Sequence, residues 1–368
     1  MYTEIIKIIE GALVNDKEKV ISYSNLLAHN MELKGEESFA KRIISTLTNK
    51  QGTLTSLDSF ATRPIDSESR LDMVEITSPQ LNCNDVVLDP YSNEVVEKFI
   101  SSYKKRDLLL RSGIEVSNTL LLYGPPGCGK TTVAQYISSV TNLPLVTARL
   151  DGLISSLLGS TAKNIRKIFD YVAKRQCVLF LDEFDVIAKL RDDKNELGEL
   201  KRVVNSLLQN IDGFNNDSIL IAATNHEELL DSAVWRRFTT ILNLKRPSLD
   251  GIKNYITKLV EGRDNNFLNN EKKLERIVKA LEEFSYSDIK TVILNALKTM
   301  VLEDRKQLTN CDVLKSIYLI KNHSVESEED YITFLLNNGV THKELNTNFN
   351  IGLRKIQAVS KLKEKEGE

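Results

Sequence analysis

The sequence predicts an α/β protein: a parallel sheet flanked by helices, then an all-helical domain, with small all-helical modules at the N- and C-terminal ends. Three observations carry that prediction. Between Val86 and Leu244, short apolar runs alternate with amphipathic stretches, and near-continuous apolar runs mark strands buried on both faces, as in parallel sheets. A glycine-rich loop joins the first of these runs to a helical pattern. Beyond Pro247, apolar residues recur at helical spacing through about Ile320.

Taken in order, residues 1–50 space their apolar positions as helices do (Ile5, Ile6, Ile8, Ile9; Ile21, Leu26, Leu27; Phe39, Ile43, Ile44), with breaks at Asn15-Asp16 and Gly35. Residues 51–84 read as a linker, because the stretch to about Arg70 is rich in Ser, Thr and Asp and lacks periodicity. Residues 85–246 form the α/β domain, with strands expected at TLLLY (119–123), PLVTA (144–148), CVLFLD (177–182), SILIAAT (218–224) and TTILNL (239–244). Residues 247–321 form the helical domain. Residues 322–368 begin with an acidic, hinge-like stretch and continue in the spacing of a helix-turn-helix, its turn at Asn350-Ile351-Gly352 and its last helix carrying Arg354 and Lys355.

Bulk properties exclude several classes. With 368 residues and 41% hydrophobic content the chain can pack two or three domains. Its 49 basic and 51 acidic residues leave a net charge of -2, so no overall field attracts nucleic acid or an anionic membrane. No run reaches the roughly 18 apolar residues that crossing a bilayer requires, and no secretory leader is evident. Cys83, Cys128, Cys177 and Cys311 are scattered without a CxxC pair, so a reducing cytoplasm is the expected compartment.

The chemistry concentrates in the α/β domain. Gly124-Pro125-Pro126-Gly127-Cys128-Gly129-Lys130-Thr131-Thr132 follows an apolar strand and opens a helix, the context in which GxxxxGK[ST] cradles phosphate on backbone N–H groups. Lys130 is expected to reach the β and γ phosphates of ATP, and Thr131 to hold Mg2+. Cys128 reads as an ordinary loop thiol. Asp182 and Glu183 lie where a buried strand emerges, the former expected on the magnesium ion and the latter on the attacking water. Asp185 reads as a surface or scaffold residue ahead of one that orients those carboxylates. Asn225, at the end of SILIAAT, suits the γ phosphate or the water. Arg236 and Arg237 are candidate arginine fingers, and Trp235 is expected to pack at a domain or subunit boundary.

Together, GPPGCGKT, LFLDEFD, AATN and DSAVWRRF, in this order and at these separations, resemble the AAA ATPases of the AAA+ superfamily, over about Val86 to Ile320. The resemblance implies a phosphate-loop sheet with a helical lid from Leu249 onward. It also implies a homo-oligomeric ring of six subunits, in which Arg236 and Arg237 reach the neighbouring subunit's ATP. SYSDIK (285–290) resembles the family's GxSGxD-type helix start, with Ser285 where Gly is usual. LDGLISSLLGSTAKNIRKIF (150–169) resembles the segment bearing the first pore loop, and its aligned triplet is Leu157-Leu158-Gly159, where the family has an aromatic, an aliphatic and Gly. Leucine offers less flat area and no π face for gripping a polypeptide. A second pore loop would carry Asp192, Asp193 and Lys194.

Two functions compete on these grounds. One is a ring that remodels or unfolds protein substrates, similar to bacterial single-ring members with a short helical N-terminal domain and the motifs RLDGL (149–153) and LDEFD (181–185). Some of those resemble partners of subtilisin-like proteases in phage-defence or toxin-antidote pairs, and this chain has no Ser-His-Asp motif of its own. The other is an ATP-switched protein that grips DNA through residues 330–368, including Arg354, Lys355, Lys361 and Lys363. That segment holds six basic and five acidic residues, thin for phosphate neutralisation, so protein docking is preferred.

Overall fold

The structure is a computed structural model, and it describes residues 5, 7, 9, 17–32, 64, 72–79, 86–114, 116–150, 158–173, 175–186, 197–214, 217–325, 327–349 and 351–366. Helix α1 (Lys17–Glu32) precedes strand β1 (Glu75–Thr77), helices α2 (Pro90–Lys104) and α3 (Arg106–Arg111), and strand β2 (Thr119–Tyr123). Next come α4 (Lys130–Thr141), β3 (Leu145–Arg149), α5 (Leu158–Val172), β4 (Val178–Asp182), α6 (Leu197–Asp212), β5 (Ile219–Thr224), the one-turn α7 (Ser232–Trp235) and β6 (Thr240–Asn243). The remaining elements are helical: α8 (Leu249–Leu259), α9 (Glu271–Ala280), α10 (Tyr286–Leu302), α11 (Asn310–Asn322), α12 (Glu328–Asn337), α13 (His342–Phe349) and α14 (Leu353–Glu366).

The six strands form one sheet in the order β1-β3-β4-β5-β2-β6. β3 pairs parallel with β4, and β2 with β6, as buried apolar runs predict. β1 is different. It pairs antiparallel with β3, Ile76 opposite Val146, and lies in the stretch read from sequence as linker. Its three residues are too few for periodicity to announce a strand.

Two compact units divide the chain. Met1–Leu81, Ile137–Asp182 and Leu190–Ile221 make the first, and Asn82–Tyr136, Glu183–Lys189 and Ala222–Glu368 the second. In the first unit, Val146, Ala148, Leu179, Phe180, Ile165 and Ile168 are essentially inaccessible. There α5 packs on α6, with Phe169 meeting Phe214 edge to face at 6.0 Å.

The second unit begins at α2, where Asp89 caps the first turn through Ser92 N–H and Pro90 takes the first helical position. Its larger part is helical, with one core running through all seven helices from α8 to α14: Ile252, Phe267, Ile277, Ile293, Ile317, Ile332, Leu345 and Ile356 all belong to it. Helices α12 to α14, which lie in the segment 322–368 set apart in the sequence, thus share the core of the helical domain. Tyr331 explains why, lying 4.8 Å from the Tyr318 ring and 5.8 Å from Phe349. Among the described residues no helix is long and apolar enough to cross a membrane.

Candidate functional site

β2 delivers the glycine-rich loop to the N-terminus of α4. Gly124 (φ 135°), Gly127 (φ 75°) and Gly129 (φ 97°) occupy left-handed torsions that other residues adopt only at a cost. Space enforces glycine as well as torsion at two of these positions: a Cβ on Gly124 would lie 2.2 Å from the Leu244 carbonyl oxygen, and one on Gly127 would lie 2.3 Å from Ser285 Oγ. Lys130 opens α4 and is 8% exposed, its ammonium donating to the carbonyls of Gly124 (2.6 Å) and Pro125 (3.0 Å). A cation is thereby held within the curve of the loop. Thr131 is exposed and Thr132 half-buried on the first turn. Cys128 is buried, and burial pushes its thiol up despite nearby Lys130 and Arg246, which suits the ordinary loop thiol expected from sequence.

A cavity of about 780 Å³ adjoins the loop, lined among others by Val87, Asp89, Tyr91, Cys128, Arg246 and Tyr286. Tyr286 stands edge-on to Tyr255 at 5.2 Å. The helical domain touches the loop directly, since Ser287 N–H donates to the Gly127 carbonyl at 3.1 Å. Ser285 caps α10 in a reciprocal box with Asp288, which gives that aspartate a structural task.

Asp182 ends β4, half-buried, and Glu183 follows with φ 55°. A left-handed torsion at a non-glycine residue costs on the order of 1–3 kcal/mol and persists only where its surroundings impose it. The imposition is visible: Phe184 N–H donates to the Ala223 carbonyl at 2.9 Å, and the Thr224 hydroxyl donates to Asp185 Oδ1 at 3.2 Å. Asp185 is 4% exposed, so the surface reading of that residue is wrong. Its carboxylate is buried because β5 supplies a donor for it, a pairing that no local sequence pattern announces. Asn225 follows Thr224 directly and is half-buried.

Arg236 and Arg237, adjacent in sequence, have different surroundings. Arg236 is exposed. Arg237 Nη1 donates back to the Ala233 carbonyl, and its own carbonyl accepts from the Thr119 hydroxyl at 3.1 Å. Trp235 packs within the unit, 5.3 Å edge-on from Tyr123, and donates Nε1–H to Leu230.

Residues 120–246 match the family described as "ATPase family associated with various cellular activities (AAA)". The chain is 38% identical, over 287 residues, to "Uncharacterized AAA family ATPase y4kL" of Sinorhizobium fredii (strain NBRC 101917 / NGR234), covering 78% of this chain and 86% of that protein. The chain belongs to the AAA family of ATPases. ATP hydrolysis is its activity, and nucleotide its ligand. It is also 29% identical over 267 residues to proteasome-activating nucleotidase 2 of Haloferax volcanii (69% of this chain, 64% of that protein), and 29% identical over 277 residues to proteasome-activating nucleotidase of Methanopyrus kandleri (73% and 63%). It spans less than two thirds of each of those two proteins. The crystal structure of the FIGL-1 AAA domain matches with a TM-score of 0.56 at 20% identity, over 77% of this chain and 98% of that one, a likeness of fold.

Of the AAA site predicted from sequence, Lys130, Glu183, Asn225, Arg236 and Arg237 lie in the second unit with the loop, and Asp182 closes the first unit's β4. Leu157 falls outside the described residues, as do Asp192, Asp193 and Lys194, while Leu158 and Gly159 open α5. Sequence reasoning missed the cavity tyrosines and the Asp185–Thr224 bond. A tyrosine inside SYSDIK was the one available signal for the former.

Proposed function

We propose that this AAA protein spends ATP, with magnesium, in remodelling or unfolding protein substrates as a homohexameric ring. The observation that carries the nucleotide site is the loop itself: three left-handed glycines running into the N-terminus of α4, with the Lys130 ammonium donating to the Gly124 and Pro125 carbonyls. Such a loop turns backbone donors and a helix dipole toward one anion. The adjoining cavity, with aromatic and polar walls, suits the nucleoside. Thr131 and Asp182 offer the hard oxygen donors that magnesium favours. When bound, magnesium would neutralise charge on the β and γ oxygens. Glu183 would then accept a proton from the attacking water, with Asn225 orienting that water. Arg236 would stabilise the developing charge in the neighbouring subunit.

Relatedness to the proteasome-activating nucleotidases supports protein as the substrate class; the gripping segment in this proposal is Leu157-Leu158-Gly159, of which Leu158 and Gly159 open α5, and the downstream partner is a protease such as a subtilisin-like enzyme. The DNA reading gains less support: Lys355 is paired with Glu328, and α14 buries Ile356 and Val359 in the helical core. Lys130→Ala should abolish nucleotide binding. Glu183→Gln should keep it while lowering kcat on the order of 10²-fold or more, and should retain protein substrate in the presence of ATP. Normal turnover in Glu183→Gln would remove that residue from the mechanism.

A further inference from the structure

We infer that Asp185 and Thr224 are positioning residues for hydrolysis, a buried carboxylate–hydroxyl link that fixes Glu183 relative to Asn225. The inference rests on assigning those two residues to the attacking water. Thr224 is 1% exposed and Asp185 4%. The Thr224 hydroxyl donates to Asp185 Oδ1 at 3.2 Å and accepts the His226 N–H at 3.0 Å. That one oxygen therefore ties three points of the chain together: the residue just before Asn225, the residue just after it, and a carboxylate two positions beyond Glu183.

A second strut runs beside the first, where Phe184 N–H meets the Ala223 carbonyl at 2.9 Å. Between them, the two residues after Glu183 are pinned to the two residues before Asn225. Glu183 itself holds a left-handed torsion, which a tethered neighbour can sustain and an untethered one would relax. Two groups that must converge on one water lose on the order of 10²-fold in rate when misplaced by about 1 Å. Hydroxyl chemistry suits the task, because a single oxygen donates in one direction and accepts in another.

The test compares variants that differ by the hydroxyl. Thr224→Ala and Thr224→Ser are both smaller than threonine, so both lose the methyl, and only the first loses the link. Thr224→Ala should lower kcat about 10- to 100-fold with the Kd for a fluorescent ATP analogue unchanged, and Thr224→Ser should recover most of that loss. In an Asn225→Ala background, Thr224→Ala should add little further loss, because the group it positions is already gone; a stability defect alone would multiply through. Equal kcat for Thr224→Ala and Thr224→Ser, or fully multiplicative losses with Asn225→Ala, would overturn the link. If Thr224→Ala does not fold, the isosteric Thr224→Val replaces it in the same comparison. Glu183→Gln serves as the control: should it turn over normally, the underlying assignment fails, whereas a dead Glu183→Gln beside a fully active Thr224→Ala sinks the link alone.

Discussion

Arg236 and Arg237 illustrate how one residue's surroundings divide two identical side chains. Arg237 donates into its own helical turn at Ala233, and its carbonyl helps anchor Thr119 at the start of β2, whereas Arg236 is exposed to solvent at the end of α7. A finger that serves another subunit must be able to leave its own, so of the two we propose Arg236 for the trans role. Arg236→Ala should leave the melting temperature unchanged and lower kcat about 10³-fold. Arg237→Ala should instead lower the melting temperature. Parallel losses in both variants, measured by steady-state hydrolysis and thermal melting, would reject the division. The doublet was legible in the sequence, but the assignment was not, because it depends on which carbonyl each guanidinium can reach. Asp185 teaches the same lesson in reverse: among neighbouring acids it looked like surface charge, and a hydroxyl 39 residues later in the chain buries it.

At the scale of elements, the apolar runs identified five strands to within a residue or two at each end, since a buried parallel strand leaves little room for polar residues. β1 escaped because pairing, not composition, makes it a strand. The helical domain shows a further layer, in which helix starts are fastened by carboxylates. Asp312 caps α11 through Thr309 and receives both Arg305 guanidinium nitrogens, at 2.8 and 2.7 Å. Burial works to raise the Asp312 carboxyl, but the bonds from Arg305 and Thr309 outweigh it and hold the group below the usual carboxylate range. Glu344, which receives the Thr341 N–H and hydroxyl as well as Lys273, is lowered in the same way against the pull of burial. A depressed folded-state pKa contributes stability that is present above the unfolded value, about 4, and is lost as pH falls through the folded value. The helical domain should therefore melt at progressively lower temperature below about pH 4. Asp312→Asn should destabilise by about 1–3 kcal/mol at pH 7, and the gap between it and wild type should close on acidification. A gap independent of pH, read from thermal melts across that range, would show that the Arg305 pair contributes shape and not charge.

For the whole molecule, the decisive question is whether one chain can complete its own site. Lys130, Glu183 and Asn225 are gathered by the elements of a single unit of one chain, while the exposed Arg236 has no phosphate of its own to address in the proposed mechanism. Mixed rings make this quantitative. Arg236→Ala subunits keep an intact phosphate loop but offer no finger, and Lys130→Ala subunits keep a finger but bind no nucleotide. Neither should hydrolyse ATP alone at more than a small fraction of the wild-type rate. Mixed in equal amounts, a subunit with a working loop will in some rings sit beside one with a working finger, so activity should reappear and pass through a maximum as the ratio is varied. A maximum at an intermediate ratio requires a shared site, because two defective chains acting singly can only give a weighted mean of two low rates. No recovery at any ratio, in preparations shown by light scattering to contain mixed oligomers, would place every hydrolytic group within one chain and remove the reason for a ring. Recovery of hydrolysis without recovery of substrate unfolding would separate the two tasks, leaving ATP turnover to pairs of neighbours and mechanical work to the whole of the proposed ring.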